Sequence, residues 1–518
     1  MPGMPNDFMR GHSSILLVHP PVSKPCEPPA GIARLAAALG RSGLDCRLID
    51  ANLEGMLYLL KQPSPAIDTW TRRAAAGAGR HLRSIRTISL YNDMDKYRRA
   101  VHDINRVLSM AGRAAGVFLS LSNYRNETLS PLQSRDLAAA AQRFTENPFY
   151  PYFRQRFEAL AQDWSPDIIG FSVNYLSQAL CAAALAAVAR RIFPASRIIF
   201  GGGLITSWMA LPGFVNPLPT LVDEMVAGPG EGPLLALCNR LSVSEKEFGF
   251  DYSGFPIDAY LSPGPILPYA ASRGCYWRKC RFCPETSEQS GFSPTPAEVV
   301  TKELAQQAAV MQPGLIHLVD NALSPRLMDH MIKNPPGPPW YGFARVTPHL
   351  ADMDFVRGLK SSGCSMLKLG IESGDQAVLD ALEKGTDLKM VSSALRALKA
   401  AGIAVYAYLL FGTPAETLKS ARKTLDFGVA HADCIDFLNP AIFNLPVGSP
   451  ECDQLNTSEF YPGDLSLYRE FKHPLGWNRE RVRGFLTEEF FRHDAIRSII
   501  NRDPPYFTSN HSPFMIKS

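Results

Sequence analysis

Three cysteines within nine residues, Cys275, Cys280 and Cys283, carry the clearest chemical signal in this sequence. Thiolates are the preferred ligands of iron–sulfur clusters, and short spacings on one loop let three sulfurs converge on one cubane of four irons. Three protein ligands leave the fourth iron open. An open iron can chelate the amino and carboxylate groups of a small molecule and pass it an electron at close range.

Other metal or redox sites are the alternatives for these cysteines. A structural zinc site needs four ligands, usually in two spaced pairs, and here only Cys364 or His317 offers a distant fourth ligand. A thioredoxin-like pair is disfavoured because a third cysteine joins Cys280 and Cys283, and a chance grouping is the remaining alternative. We predict that the other seven cysteines are buried small hydrophobes: Cys26, Cys46, Cys181, Cys238, Cys364, Cys434 and Cys452.

The elements that position the three cysteines belong to a repeating strand and helix pattern. Six short apolar segments alternate with helical patterns and indicate an open or partial parallel barrel, in which chemistry lies at the carboxyl ends of the strands. The cysteines follow the first of these segments. The predicted strands are 266–271, 315–320, 340–346, 366–373, 404–412 and 434–443.

The N-terminal half shows the same alternation of strands and helices, but it predicts a different fold. Apolar strands separated by helices and glycine-rich turns indicate a doubly wound, flavodoxin-like α/β sheet. We expect this domain to span 1–250, with a helical insertion at 56–164, followed by the barrel at 251–460 and a small helical, aromatic extension at 461–518. The predicted strands of the first domain are 14–19, 46–50, 167–173, 197–200 and 222–226.

Composition narrows the class of protein. The chain has 518 residues, enough for about three domains. Its net charge of +4 is spread along the sequence, so we expect no nucleic-acid surface. The longest apolar run, 179–189, is shorter than the ~20 residues of a membrane span. Ten cysteines without an export signal favour metal or redox chemistry over disulfides, and we expect a cytoplasmic protein.

The region 266–450 resembles the radical S-adenosylmethionine (SAM) superfamily. Phe282 matches the aromatic residue that precedes the third cysteine of the family motif. Four residues separate Cys275 from Cys280, where the family normally has three. Variants of the superfamily show such an insertion, so it concerns the subfamily and not the presence of the cluster. The resemblance implies a [4Fe–4S] cluster, reductive cleavage of SAM to a 5′-deoxyadenosyl radical, and a reductant such as flavodoxin or ferredoxin.

The resemblance also implies SAM contacts at the ends of successive strands. Acidic residues at such junctions are alternatively helix caps, which applies to Asp320, Glu372 and Glu416. The implied contacts are Asp320 and Asn321 for the amino group, Arg345 for a carboxylate, Glu372 and Ser373 for ribose and carboxylate, and Gly412, Pro414 and Glu416 for adenine.

The first domain resembles the cobalamin-binding domain often fused ahead of radical SAM domains. The Asp-x-His-x-x-Gly pattern that supplies a histidine to cobalt is absent, with Asn52 in place of the histidine. Cobalamin is therefore expected to bind without that ligand, and His19 is expected to be structural. The implied contacts are Ser172, Gly201, Gly202, Gly203, Gly230 and Glu231.

The combined resemblance favours cobalamin-dependent methylation of an unactivated carbon. The alternatives are a ring contraction, cyclisation or rearrangement without methyl transfer, and a zinc- or cobalamin-binding sensor. An RNA methylthiotransferase is disfavoured because a second set of cluster cysteines and a basic tail are missing. The substrate is expected to be a small molecule, a peptide or a lipid. Trp477, Tyr506, His511 and the 56–164 insertion are candidates for shaping its pocket, and the insertion is alternatively a solvated helical addition to the domain.

Overall fold

The structure, a computed structural model, describes residues 14–62, 68–240, 249–505 and 511–516. The chain divides into two compact units. The first comprises Met1–Ser84, Arg99–Leu261 and Gly463–Leu465, and the second comprises Ile85–Arg98, Ser262–Pro462 and Ser466–Ser518. Within the described ranges, no helix is long and apolar enough to cross a membrane.

The strands are short and mostly parallel. In chain order they are β1 (Ser14–His19), β2 (Asp45–Asp50), β3 (Val117–Leu119), β4 (Tyr124–Asn126), β5 (Ile168–Ser172), β6 (Arg197–Gly201), β7 (Glu224–Met225), β8 (Ile266–Tyr269), β9 (Ser272–Arg273), β10 (Ser293–Pro294), β11 (Leu315–Leu323), β12 (Trp340–Ala344), β13 (Cys364–Glu372), β14 (Ala404–Phe411), β15 (Phe437–Ile442), β16 (Leu445–Pro446), β17 (Thr457–Glu459) and β18 (Tyr468–Phe471).

Helices separate most of the parallel strands. They are α1 (Ala30–Arg41), α2 (Ala51–Lys61), α3 (Thr69–Ser84), α4 (Ile88–Tyr91), α5 (Met94–Arg113), α6 (Ser134–Gln142), α7 (Tyr150–Ala161), α8 (Leu176–Ile192), α9 (Gly203–Met209), α10 (Glu231–Leu237), α11 (Pro284–Ser287), α12 (Ala297–Met311), α13 (Pro325–Lys333), α14 (Pro348–Ala351), α15 (Met353–Ser361), α16 (Gln376–Ala381), α17 (Leu388–Ala401), α18 (Leu418–Ala430), α19 (Arg479–Phe485) and α20 (Asp494–Ile500).

A five-stranded parallel sheet in the order β2-β1-β5-β6-β7 forms the core of the first unit. Strand β1 is almost entirely apolar and buried, because a parallel sheet is covered by helices on both faces. The order is that of a flavodoxin-like sheet. This confirms the predicted doubly wound fold.

The segment between β2 and β5 is largely helical. Its helices run from α2 to α7, and α5 buries an apolar stripe that includes Val101, Ile104 and Leu108. Spacings of three and four residues place such side chains on one face of a helix. The hairpin β3–β4 within this segment was not predicted from the sequence.

The second unit contains a six-stranded parallel sheet whose strands follow one another in space as in sequence, from β8 through β11 to β15. A helix lies in sequence between each pair of successive strands. This simple order confirms the predicted partial barrel. It also brings the carboxyl ends of all six strands to one edge, where the predicted site residues lie.

The amino end of this sheet is closed by the last described residues. Ile516 packs in one apolar cluster with Ile266, Leu315 and Tyr341, each near the start of a strand. His511 stacks on Tyr406 with ring centroids 4.7 Å apart. Strands β16, β17 and β18 form a small antiparallel sheet that the sequence pattern did not predict.

Candidate functional site

The three cysteines lie on the cysteine loop, residues 272–285, which follows β8 at the carboxyl end of the sheet. Asp320 of the neighbouring strand accepts hydrogen bonds from the backbone N–H of Ala271 at 2.9 Å and the hydroxyl of Ser272 at 2.5 Å. Burial raises the pKa of Asp320 to about 6. Asp320 thus fixes the entry to the loop, whereas Asn321 is exposed.

A second attachment of the cysteine loop comes from the 382–385 segment, which follows α16. The backbone N–H of Arg281 donates to the Leu382 carbonyl at 3.1 Å, and Nε1 of Trp277 donates to the Glu383 carbonyl at 3.0 Å. Gly385 leaves the space in which the indole ring lies. The additional residue between the first two cysteines is therefore accommodated in a loop that is held over its middle as well as its entry.

Arg345 follows β12 and is buried beside the loop, with 6% of its surface exposed. Its Nη1 donates to the Cys280 sulfur at 3.5 Å, and its Nη2 donates to the Lys384 carbonyl. Its guanidinium carbon lies 4.3 Å from the ring centroid of Trp277. A fixed positive charge thus faces one of the three predicted cluster ligands.

Glu372 and Lys384 form a buried ion pair in the same region, with 2.7 Å between Oε1 and Nζ. Lys384 also lies 5.5 Å from the ring centroid of Phe282. Glu372 adopts φ of 64°, a left-handed conformation that is costly for a residue with a side chain and is concentrated at functional sites. The ammonium has three N–H donors, so Lys384 can bind a further acceptor.

Cys280 is buried, and Cys275 and Cys283 are half-buried. Burial raises the pKa of the Cys280 thiol and raises that of Cys283 to about 11. Across the described residues, no three Cys, His, Asp or Glu side chains are grouped as ligands of a single metal ion. Cluster ligands bind different irons and lie farther apart than the ligands of one ion. Cys364 begins β13, at the opposite end of the sheet from the loop.

Asp320, Glu372 and Glu416 do not cap the helices that follow them, so the helix-cap interpretation is wrong. The caps of the helices that follow are Ser324 for α13, Asp375 for α16 and Thr417 for α18. Ser373 is fully buried with its hydroxyl 3.2 Å from that of Thr424 in α18. Glu372 is therefore directed to Lys384, and its neighbour Ser373 is directed to the helix.

The turn after β14 contains Gly412, Pro414 and Glu416. The Glu416 carboxylate accepts hydrogen bonds from the backbone N–H of Gly412 and from Nε1 of Trp477, the latter at 2.8 Å. Burial raises the pKa of Glu416 to about 7. His473 contacts the Thr413 carbonyl at 2.9 Å. The C-terminal extension thus holds this turn at two points.

The two other residues suggested for a pocket differ in position. His511 lies at the amino end of the sheet, stacked on Tyr406, and Tyr506 lies outside the described residues.

In the first unit, glycine turns lie at the carboxyl ends of β6 and β7. Gly202 has φ of 103°, and a Cβ there would lie 2.6 Å from the Val173 carbonyl oxygen. Gly201 and Gly230 are half-buried and Gly203 is exposed. Gly202 is therefore glycine because Val173 fills the space beside it, whereas the exposed Gly203 permits close approach of a ligand to the backbone.

The remaining predicted residues of this region bind other groups of the protein. Ser172 accepts a hydrogen bond from the Asn174 amide at 3.1 Å, and Glu231 forms a buried pair with Arg34 at 2.6 Å. Asn52 occupies the position of the missing cobalt-binding histidine. It is buried, and its side chain accepts a hydrogen bond from the Ser23 backbone N–H at 2.9 Å. His19 contacts the Ser23 hydroxyl at 2.8 Å, consistent with a structural role.

Sequence reasoning missed Trp277, Lys384 and Gly385. In the sequence, Gly385 indicates only that a helix has ended shortly before it. The contact of Gly385 with Trp277 joins two segments that are distant in sequence.

Known proteins resemble the chain at two levels. Residues 269–428 match the model of the radical SAM superfamily. An uncharacterized protein of Methanopyrus kandleri is 27% identical over 169 residues, which make up 28% of this chain and 31% of that protein. The match therefore spans less than a third of the relative's length.

Two solved structures of the radical SAM methyltransferase TsrM from Kitasatospora setae share the fold at 15% identity. The first, with cobalamin and a [4Fe–4S] cluster bound, has a TM-score of 0.56 and covers 86% of this chain and 78% of TsrM. The second, with tryptophan and a SAM analogue bound, has a TM-score of 0.59 and covers 95% and 90%. Because the family match includes the cysteine loop and the strands that surround it, residues 269–428 form a radical SAM domain.

Proposed function

We propose that this enzyme binds a [4Fe–4S] cluster on Cys275, Cys280 and Cys283, binds SAM beside it, and uses cobalamin in methylating an unactivated carbon. The observation that carries the proposal is the position of the cysteine loop, at the carboxyl end of β8 and next to the buried cation of Arg345. When bound, the cluster supplies the electron that cleaves SAM to methionine and a 5′-deoxyadenosyl radical, and cobalamin supplies the methyl group.

The donor set fits the cluster. Three sulfurs on one loop leave one iron without a protein ligand, as SAM binding requires. Asp320 holds the loop entry and the 382–385 segment holds its middle, so the loop is ordered by its own neighbours. A loop fixed in this way loses little conformational freedom when it binds a cluster.

The charged residues beside the cysteine loop fit the zwitterionic amino acid group of SAM. Arg345 and Lys384 supply positive charge for a carboxylate, and Glu372 supplies negative charge for an amino or hydroxyl group. Their burial excludes water, which strengthens each electrostatic contact. We assign the adenine contact to the turn that contains Gly412, because its backbone lacks a side chain there and is held by Glu416.

The first unit fits cobalamin bound without a protein histidine. Gly203 is exposed and carries no side chain at the carboxyl edge of the sheet, where ligands of doubly wound folds bind, and Gly201 and Gly202 form the turn that leads to it. Asn52, at the position of the missing histidine, instead accepts a hydrogen bond from Ser23. Glu231 is committed to Arg34, so it would shape the site and not contact the ligand through its carboxylate.

The fold shared with TsrM, a radical SAM methyltransferase, supports methyl transfer over the other radical reactions. The rearrangement alternative predicts 5′-deoxyadenosine without transfer of a methyl group. Anaerobic incubation with CD3-labelled SAM, dithionite and hydroxocobalamin separates the two, since cobalamin reduced to the Co(I) state is expected to take the labelled methyl group and give labelled methylcobalamin and S-adenosylhomocysteine. Formation of 5′-deoxyadenosine with no labelled methylcobalamin would favour the alternative.

The radical reaction itself is tested by anaerobic incubation with SAM and dithionite. We expect 5′-deoxyadenosine from the wild type and none from Cys280→Ala. The wild type should contain about four iron and four sulfide ions per chain. Cys46→Ala is the matched control, because Cys46 lies in β2 of the other unit and should leave the product unchanged. Equal product from the wild type and Cys280→Ala, or zinc in place of iron, would overturn the proposal.

The cobalamin site is tested with hydroxocobalamin as the probe. Gly203→Leu fills the open backbone edge and should weaken binding about tenfold, or ~1.4 kcal/mol. Gly40→Leu places the same side chain on an exposed face of α1, with no neighbour within 4 Å, and should bind as the wild type does. Unchanged affinity in Gly203→Leu would remove the site from this edge.

A further inference from the structure

Arg345 is a buried cation in direct contact with a proposed cluster ligand. Its Nη1 lies 3.5 Å from the sulfur of Cys280, and its side chain is nearly inaccessible to solvent. The Lys384 carbonyl and the ring of Trp277 satisfy the guanidinium in other directions. Neither partner carries a negative charge, so the positive charge facing Cys280 is not neutralised by these contacts.

We infer that Arg345 sets the reduction potential of the cluster. The inference rests on the proposed function, because it requires the cluster to bind Cys280. Reduction adds one electron to the cluster and makes it more negative by one charge. A buried cation next to a ligand sulfur stabilises that extra negative charge, and hydrogen bonds to sulfur act in the same direction. Arg345 therefore raises the potential and makes the cluster easier to reduce.

Trp277 is the positioning residue for this cation. Its ring lies against the guanidinium at 4.3 Å, and its Nε1 is fixed by the Glu383 carbonyl. Trp277 lies between Cys275 and Cys280, in the stretch that is one residue longer than the family spacing. The longer loop thus brings its own aromatic surface to the arginine, and this links the unusual spacing to the electronic environment of Cys280.

The test is a redox titration of the reconstituted cluster, followed by electron paramagnetic resonance in the absence of SAM. Without SAM, any role of Arg345 in holding a carboxylate has no effect on the result. Arg345→Gln removes the charge and Arg345→Lys keeps it. We expect the potential of Arg345→Gln to move to a more negative value while that of Arg345→Lys stays near the wild type.

Arg278→Gln is the matched control. Arg278 also lies in the cysteine loop, but it is exposed, so water and salt screen its charge. The potential of Arg278→Gln should stay near that of the wild type.

Each outcome has a consequence. Loss of the cluster from Arg345→Gln but not from Arg345→Lys would overturn the inference, because the positive charge would then be needed to hold the cluster and not to set its potential. Equal potentials in the wild type and Arg345→Gln would overturn the inference, as would an equal shift in both variants or loss of the cluster from both. Failure of the wild type to bind a cluster would instead overturn the proposed function.

Discussion

Gly385 lies against the indole ring of Trp277, and a Cβ at Gly385 would overlap Cζ2 of that ring. Gly385 also has φ of 64°, a conformation that glycine adopts without strain. Both properties require glycine at this position. The contact joins the cysteine loop to the 382–385 segment, whose carbonyls bind Trp277 and Arg345.

Gly385→Ala should therefore displace Trp277 and lower the free energy of unfolding by about 2 kcal/mol, through overpacking and backbone strain. Iron and sulfide content should fall with it. Gly484→Ala is the control, because a Cβ in that helical position meets no atom within 4 Å and should be neutral or slightly stabilising. The clash is isolated in a Trp277→Ala background, where Gly385→Ala should cost less. An equal cost in both backgrounds would contradict the contact.

The carboxyl group of Glu416 should make stability depend on pH. Its pKa is raised from 4.5 to about 7 because burial penalises the carboxylate, so the folded state favours the protonated form. The stabilisation is complete below about pH 4.5 and is lost as pH rises through 7. By pH 8 the loss amounts to about 3 kcal/mol.

Glu416→Gln should remove this dependence. Urea unfolding at pH 5, 6, 7 and 8 should give a free energy of unfolding that falls less for Glu416→Gln than for the wild type. The comparison cancels the other titrating groups, including Asp320, whose pKa is raised in the same direction. Parallel curves for the two proteins would show that Glu416 keeps the same protonation state when folded and unfolded.

The strands and the cysteine loop could be predicted because they depend on local pattern. Apolar runs that alternate with helical patterns predicted the six strands of the parallel sheet in the second unit, and three cysteines on one loop predicted the chemistry. The contacts that hold the site could not be predicted in this way. Trp277 meets Gly385, and Glu416 meets Trp477, only because distant segments converge at one edge of the sheet.

The buried pair of Glu372 and Lys384 should depend on both partners. Lys384→Met leaves a buried carboxylate without its cation and should lower the free energy of unfolding by about 3–5 kcal/mol. Lys384→Met combined with Glu372→Leu removes both charges and should cost less than Lys384→Met alone. Lys333→Met is the control, since its pair with Asp329 is exposed and should be worth under about 1 kcal/mol. A double variant as unstable as the sum of its single variants would contradict coupling.

Trp477→Phe should weaken SAM binding without changing the chemistry. The change keeps an aromatic ring but removes the Nε1 donor to Glu416, so the turn that holds Gly412 loses one of its two attachments to the C-terminal extension. The loss of one such hydrogen bond corresponds to about 1–2 kcal/mol, or roughly a fivefold to thirtyfold rise in the dissociation constant for SAM.

Equilibrium dialysis of reconstituted enzyme measures the constant, and Trp70→Phe, at a tryptophan 68% exposed, is the control. At saturating SAM the rate of 5′-deoxyadenosine formation should match the wild type, because Trp477 contacts the turn and not the cysteine loop. A lower rate at saturation with unchanged affinity would mean that the turn after β14 acts on the reaction itself and not on the binding of SAM.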